Sequence, residues 1–193
     1  MEQKLREIVN GRIRLTLAKV ADAARILDYI ETQGEGAHVS ICNLSFFSET
    51  ITIERQRDYL RRKEISPTDY LYLIETNEEG KGILLGTVGL HEHDIYNDNA
   101  RLGVLLFPES RSSSFGTDAI YTILNYGFEQ LKLNKVYLIV FVKNSKAASL
   151  YVKMGFMVEG ILREHYKLKD KDGTGYRYYD MYNMSILRRE WKK

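Results

Sequence analysis

The sequence is poor in cysteine and has no long apolar run. Its 193 residues include one cysteine, Cys42, so the chain cannot form an internal disulfide, and a reducing compartment is expected. No stretch approaches the ~20 apolar residues that a membrane-spanning helix needs. The first residues are polar and lack the apolar segment of a signal peptide. We therefore predict a cytoplasmic protein with no membrane partner.

The charges nearly cancel, which limits the classes of partner. The 28 Lys and Arg residues stand against 26 Asp and Glu residues, a formal net charge of +2. A balance this close to zero gives no reason to expect binding to nucleic acid. With 44% hydrophobic and 28% charged residues, the chain has the composition of an ordinary globular protein. We predict one domain over residues 1–193, with its core at about 11–190, as a monomer or a homodimer.

Hydrophobic patterning predicts a mixed α/β domain, because segments with helical spacing alternate with segments of strand-like alternation. Helices are expected over residues 19–30, 52–63, 117–131 and 145–153, and an aperiodic loop is expected over 32–48. Strands are expected over 12–18, 70–75, 83–93, 100–107, 136–142, 156–168 and 176–187. The strand–helix–strand crossover makes the strands near 101–107 and 135–142 parallel. The prediction is a mixed, mostly antiparallel sheet with helices on both faces.

A turn of small residues precedes the helix expected at 117–131. It runs from Phe107 to Gly116 and contains three consecutive serines at 112–114. Such a turn leaves backbone N–H groups unpaired at the positive end of the helix dipole, an arrangement that suits an anion such as a phosphate. A nucleotide triphosphate loop of the standard type is excluded, because the Gly-Lys-Ser/Thr ending is missing.

This turn resembles the first signature of the GNAT family of N-acetyltransferases. The segment Arg111-Ser-Ser-Ser-Phe-Gly116 resembles the family's pyrophosphate loop, whose pattern is Arg/Gln-x-x-Gly-x-Gly/Ala. Ser114 stands where the family prefers glycine. A serine suits a helix cap, but it is less well tolerated where the backbone needs a positive φ.

A second segment resembles the other GNAT signature, Asn-x-x-Ala-x-x-x-Tyr-x-x-x-Gly-Phe. It runs from Asn144 through Tyr151 to the pair Gly155-Phe156 and is the more specific of the two. The tail from residue 159 onwards is similar to the RimJ/RimL-type branch of the family. The resemblance covers nearly the whole chain and implies the GNAT fold, in which the two central parallel strands splay apart.

The resemblance implies that acetyl-CoA is the acyl donor and that no metal is used. The turn would hold the pyrophosphate, and the backbone near Leu105 and Phe107 would bind the pantetheine arm and polarise the thioester carbonyl. Asn144 would contact the cofactor, cap the following helix, or do both. The residues assigned to the cofactor are Leu105, Leu106, Phe107, Arg111, Ser112, Ser113, Ser114, Phe115, Gly116, Thr117, Asn144, Lys146, Ala147, Tyr151 and Lys153.

Tyr151 is the candidate general acid. A phenol has a pKa of ~10, so it is protonated at neutral pH and can donate a proton to the leaving thiolate. Its position also places it near the helix face of Asn144, since seven residues make about two turns. The alternative is that Tyr151 is one core aromatic residue among fourteen tyrosines.

The general base is less clearly marked. Many relatives carry a glutamate in the run Ala-Glu-Ile-Gly, whereas this chain has Arg101 at that place. Glu92 is our candidate, acting directly or through a water, and a neighbouring histidine also has a suitable pKa. Strand alternation places His91 and His93 on one face and Glu92 on the other. These residues could instead be ordinary polar groups at a strand end, and two histidines are too few for a metal site.

The expected function is acetyl-CoA-dependent transfer of an acetyl group to a primary amine. The resemblance implies a protein N-terminus, an amino sugar or a polyamine as acceptor. A weak base favours an α-amine, whose pKa is ~7.7–8.0, or a sugar amine over a lysine-like amine at ~10.4. The alternative is a coenzyme-A-binding module that has lost turnover, which Ser114 and Arg101 favour and which Asn144 and Tyr151 oppose.

Overall fold

A computed structural model describes residues 4–32, 52–78, 82–107, 110, 114–169 and 174–192. Eight strands form one sheet in the order β1-β2-β3-β4-β5-β6-β8-β7. The strands are β1 Glu7–Asn10, β2 Ile13–Leu17, β3 Tyr70–Thr76, β4 Leu84–Asp94, β5 Asn99–Leu106, β6 Lys135–Phe141, β7 Met157–Lys169 and β8 Tyr176–Leu187. The described α-helices are α1 Ala23–Thr32, α2 Ile53–Ile65, α3 Phe115–Glu129 and α4 Ser145–Lys153.

The predicted fold class is confirmed, and the elements differ from the prediction mainly at their ends. Strand β1 was not predicted, because its four residues show no alternation and only Ile8 is half-buried. Helix α3 begins at Phe115, two residues before the predicted start. Residues 33–51, which include Cys42 and most of the predicted loop, lie outside the described residues. No helix in the described ranges is long and apolar enough to cross a membrane.

The ends of α2 follow directly from its sequence. Thr52 precedes the helix in an extended conformation, and its side chain accepts a hydrogen bond from the Arg55 N–H at 3.3 Å. Ser66 ends the helix with ψ at 128°, as expected for a residue that precedes proline. The helix therefore has a fixed length, and this positions its last turn beside the start of β3.

The sheet buries a separate apolar core on each face. Helix α3 covers one face, where even-numbered residues of β3, of β5 and of β4 after Gly86 are buried, such as Tyr72, Val88 and Leu102. Helices α1 and α2 cover the other face, where odd-numbered residues such as Leu71 and Leu73 are buried. This alternation is the period of two that strands require. It also tells which face each side chain of β5 occupies.

The ladder between β5 and β6 is parallel and short. It pairs Asn99 with Lys135, Ala100 with Val136, and Arg101 with Tyr137, and the described residues show no pair beyond these. Strand β5 nevertheless stays paired with β4 as far as Leu106. Strand β6 stays paired with β8 along the whole of β6. The two central strands therefore separate in the middle of an otherwise continuous sheet, which agrees with the splayed pair that the resemblance implied.

Gly86 provides a test of how tightly β4 and β5 are held together. Its φ is 153°, and an added Cβ would lie 2.1 Å from the Leu105 carbonyl oxygen. We expect Gly86→Ala to lower the free energy of unfolding by about 1–3 kcal/mol, because it combines backbone strain with a backbone clash. Gly160→Ala is the matched control, since nothing lies within 4 Å of its added Cβ. Urea denaturation measures both, and equal losses would show that β4 moves aside freely.

Candidate active site

The gap between β5 and β6 begins after Arg101, so the β5 residues beyond it make no ladder with β6 in the described chain. The Phe107 N–H donates to the Leu85 carbonyl at 3.0 Å, so Phe107 points its N–H towards β4. Successive residues of a strand alternate in direction, so Leu105 also faces β4, whereas Val104 and Leu106 face the gap. The Phe107 carbonyl accepts from the Ser110 N–H at 2.9 Å.

This geometry revises the expected backbone contacts. We predicted that groups near Leu105 and Phe107 would bind the pantetheine arm. The gap-facing positions are Val104 and Leu106, and Val104 is not among the predicted residues. The sequence shows that β5 is a strand, but the direction of each N–H depends on one hydrogen bond to β4, here that of Phe107 to Leu85.

The N-terminus of α3 lies at the end of this gap. Ser114 is the residue before the helix and has φ at −71°, so a serine fits here without the strain that a positive φ would bring. Its side chain makes no capping hydrogen bond. Instead, the Ser114 Oγ accepts from Arg12 Nη2 at 2.7 Å. Residues Arg111, Ser112 and Ser113 lie outside the described residues, and their proposed role in holding phosphate remains a prediction.

Gly116 brings the first turn of α3 against the end of β5. It is buried, and an added Cβ would lie 2.5 Å from Leu106 Cδ1. Because Gly116 has no side chain, the N-terminus of α3 can lie directly against Leu106, whose backbone faces the gap. Phe115 and Thr117, on either side of Gly116, are half-buried. The helix dipole and the strand edge consequently meet at one place.

Arg12 adds a positive charge at the same helix end. Its Nη2 also lies 2.6 Å from Asp118 Oδ2, and its guanidinium lies 4.9 Å from the centre of the Phe115 ring. Asp118 belongs to the first turn of α3, where its negative charge would oppose an incoming phosphate. Arg12 neutralises that charge. This contact has no signal in the sequence, because Arg12 precedes β2 and lies 106 residues from Asp118.

Helix α4 carries the residues of the second signature. Asn144 caps it as predicted, with its side chain accepting from the Ala147 N–H at 3.3 Å. Lys146 and Lys153 are exposed, and Ala147 is half-buried. Tyr151 packs against Phe156 with their ring centres 5.7 Å apart, and burial raises the pKa of Tyr151 to about 12. The phenol therefore keeps its proton throughout the physiological range.

Glu92, the expected base, is held by the arginine that replaces the family's carboxylate. Arg101 Nη2 lies 2.7 Å from Glu92 Oε1, and Arg101 Nε lies 3.2 Å from Oε2. The hydrogen bond from Arg101 is the main reason that the pKa of Glu92 falls below its usual value. A carboxylate with a lowered pKa is a poorer proton acceptor. The pairing therefore weighs against Glu92 as the base.

The predicted arrangement of the two histidines is wrong. Glu92 has φ at +55°, and the pairing of β4 with β5 shifts between His91 and Asp94, which marks a bulge. As a result, the His93 ring contacts Tyr70 in the α3-side core, with Nδ1 3.3 Å from the phenol oxygen. His91 lies on the opposite face, where its Nδ1 is 2.9 Å from Asp69 Oδ1.

Comparison with known families identifies the domain. The acetyltransferase (GNAT) domain matches residues 12–157, which is most of the chain and includes both signatures. The chain belongs to the GNAT acetyltransferase family.

Curated relatives of this GNAT chain are named as N-acetyltransferases. The spermidine N(1)-acetyltransferase of Vibrio cholerae is 33% identical over 114 residues, a stretch that spans 59% of this chain and 62% of that protein. The chain thus spans less than two thirds of that relative's length. YdaF of Bacillus subtilis is 27% identical over 190 residues, which cover 95% of this chain and 96% of YdaF. Its name describes it as a proposed ribosomal N-acetyltransferase.

A solved structure shows the same GNAT fold. The spermidine N-acetyltransferase of Vibrio cholerae, crystallised with CoA and spermine, matches with a TM-score of 0.79. The match covers 94% of this chain and 98% of that chain at 24% sequence identity. At this identity the likeness is one of fold.

The charge balance at the start of α3 can be tested by removing Arg12. We expect Arg12→Gln to weaken binding of coenzyme A roughly fivefold, since one uncompensated charge near 4 Å is worth about 1 kcal/mol in water. The unpaired Asp118 carboxylate would then repel the phosphates. Arg12→Gln combined with Asp118→Asn should restore most of the affinity. Calorimetric titration measures the wild type and both variants, and a double variant as weak as Arg12→Gln would show that Arg12 itself touches the phosphates.

Proposed function

We propose that this GNAT protein is an acetyl-CoA-dependent N-acetyltransferase that acetylates a primary amine within a ternary complex. One observation carries the proposal, namely the open edge of β5 that ends at the N-terminus of α3. The pantetheine arm contains amide groups, which can pair with a strand edge as another strand would. The pyrophosphate at its far end would meet the free N–H groups of the helix.

The residues around the gap fit the remaining needs of the reaction. The Val104 N–H faces the gap, and we expect it to polarise the thioester carbonyl. Tyr151, which keeps its proton, is the donor to the leaving sulfur. Lys146 and Lys153 are exposed on α4, and their positive charges would suit phosphate oxygens.

The acceptor would approach from the face that α1 and α2 partly cover. On that face Arg101 and Tyr137 are neighbours in the parallel ladder. A shallow surface cavity beside them is lined by Asn99, Lys135, Tyr137, Glu159 and Asn183. The named activity of the Vibrio cholerae relative supports a small amine as acceptor, and we keep polyamines, amino sugars and protein N-termini as candidates.

Binding and turnover are measured separately. Calorimetry with acetyl-CoA tests the site, and release of free thiol from acetyl-CoA tests turnover against spermidine, an amino sugar and a peptide with a free N-terminus. Heat of binding with thiol release for at least one acceptor supports the proposal. No heat at millimolar acetyl-CoA would refute it.

The second candidate is a coenzyme-A-binding module without turnover. The observation in its favour is the ion pair between Arg101 and Glu92. Arg101 stands at the position of the family's usual carboxylate, and its ion pair with Glu92 makes Glu92, the replacement base that we expected, a poorer proton acceptor. It predicts tight binding of acetyl-CoA with no thiol release for any amine. A single active acceptor eliminates it.

Tyr151→Phe tests the general acid. We expect kcat to fall by ~10²–10⁴-fold, the usual contribution of such a group, with little change in acetyl-CoA affinity, because the ring that packs on Phe156 is kept. The control is Tyr121→Phe, which removes a phenol that contacts Trp191 rather than the gap. Stopped-flow thiol release gives kcat. A Tyr151→Phe rate within threefold of wild type would leave Tyr151 as a packing residue.

A further inference from the structure

A buried histidine on the α1/α2 face is held by a carboxylate. His91 is 5% exposed, and its Nδ1 lies 2.9 Å from Asp69 Oδ1. The same oxygen of Asp69 lies 2.5 Å from Lys63 Nζ, and the other oxygen accepts from Ser66 Oγ at 2.7 Å. Three donors from two elements thus fix the carboxylate. These bonds lower the pKa of Asp69 well below its usual range, against the effect of burial, so it is ionised.

Two glycines make room for the His91 ring. Gly89 and Gly103 are direct partners across β4 and β5. A Cβ added to either glycine would lie 3.0 Å from His91 Nε2. The imidazole therefore lies across the glycine pair, on a part of the sheet surface that carries no side chain of its own.

This location is next to the gap. Arg101 is the last residue of β5 that pairs with β6, and Gly103 lies two residues further on, about 6.6 Å along the strand. Val104, whose backbone faces the gap, follows Gly103 directly. His91 Nε2 thus lies between the position of the family's usual carboxylate, here Arg101, and the proposed thioester site.

The hydrogen bonds define which nitrogen is available. An ionised carboxylate accepts, so Nδ1 carries the proton in the neutral ring, and Nε2 keeps its lone pair. Among the described residues, Nε2 makes no hydrogen bond. A histidine oriented by a carboxylate, with its second nitrogen free, is the arrangement of a general base.

We propose that His91 is the general base of the acetyl transfer and that Asp69 positions its ring. The proposal rests on the acetyl-CoA-dependent activity proposed above. It replaces Glu92, whose carboxylate is paired with Arg101.

The proton balance follows from these roles. A primary ammonium must lose two protons on becoming an amide. His91 Nε2 takes the first, directly or through one water, and Asp69 stabilises the imidazolium until the proton passes to solvent. The neutral amine then forms the new C–N bond as the C–S bond breaks. Tyr151 gives its proton to the thiolate, and the second amine proton restores the phenol.

The groups around His91 keep it neutral. Burial lowers the pKa of His91, Lys63 and Arg101 lower it further, and Asp69 raises it, with a net fall below the ordinary value. Tyr59 of α2, whose pKa burial raises to about 12, also lies near Asp69 and Arg101 and stays uncharged. Activity should therefore rise with pH through the lowered pKa of His91 and stay high above it.

The kinetic test compares two histidines on the same strand. With an acceptor found by thiol release, His91→Gln should lower kcat by ~10²–10⁴-fold and leave the acetyl-CoA dissociation constant unchanged. His93→Gln is the matched control on the opposite face and should keep the wild-type rate. Asp69→Asn should lower kcat and move the acidic limb of the pH profile to lower pH, because a group that raises the pKa of His91 is lost.

A measurement on the free protein does not depend on turnover or on any variant folding. The ¹⁵N shifts of the His91 ring should report Nδ1–H and free Nε2 at pH 7, with a pKa below ~6.5. An Nε2–H ring, or a pKa above that value, would overturn the inference.

The two proposals fail in different ways. If wild type turns over and His91→Gln is equally fast, the His91 inference is wrong and the acetyltransferase function stands. If Glu92→Gln alone abolishes turnover, Glu92 is the base. If wild type does not bind acetyl-CoA, the proposed function itself is wrong.

Discussion

The early end of the β5–β6 ladder is the constraint on which the site depends. A sheet gains most from continuous pairing, and here every neighbouring pair apart from this one follows that rule along most of its length. Only residues 99–101 of β5 pair with β6 in the described chain. The backbone of Val104 faces the gap and has no strand partner there among the described residues, and a backbone group away from water needs one. A ligand with amide groups and a phosphate end could pair with both elements along one line. Its amides would pair with the edge of β5, and its phosphates would meet the N-terminus of α3.

Local signals in the sequence predicted the secondary structure on one side of the gap. Asn144 and Tyr151 lie on one short helix, seven residues apart, so their relation depends on helix geometry alone. The parallel crossover followed from chain order. Ser114 was also placed correctly before α3, although its φ, and hence the ease with which serine fits, needed the structure.

The other side of the site could not be predicted, because its contacts join distant segments. Asp69 and His91 are 22 residues apart, and Arg12 and Ser114 are 102 residues apart. The assumption of regular alternation also failed at Glu92. A bulge changes the face of every residue after it, so one residue in a left-handed conformation was enough to separate His93 from His91.

These departures from the family pattern are linked through charge. Arg101 stands where the family resemblance implies a carboxylate in many relatives, and a half-buried guanidinium near the gap requires a counter-ion. Glu92 supplies it by reaching Arg101 from the bulge, at the cost of its own basicity. Because of the bulge, His93 lies in the α3-side core, whereas His91 lies on the opposite face and contacts Asp69. Exchanging the carboxylate for arginine thus favours a neutral base, because a second anion beside Glu92 would be repelled, whereas a neutral imidazole is compatible with the Arg101–Glu92 pair.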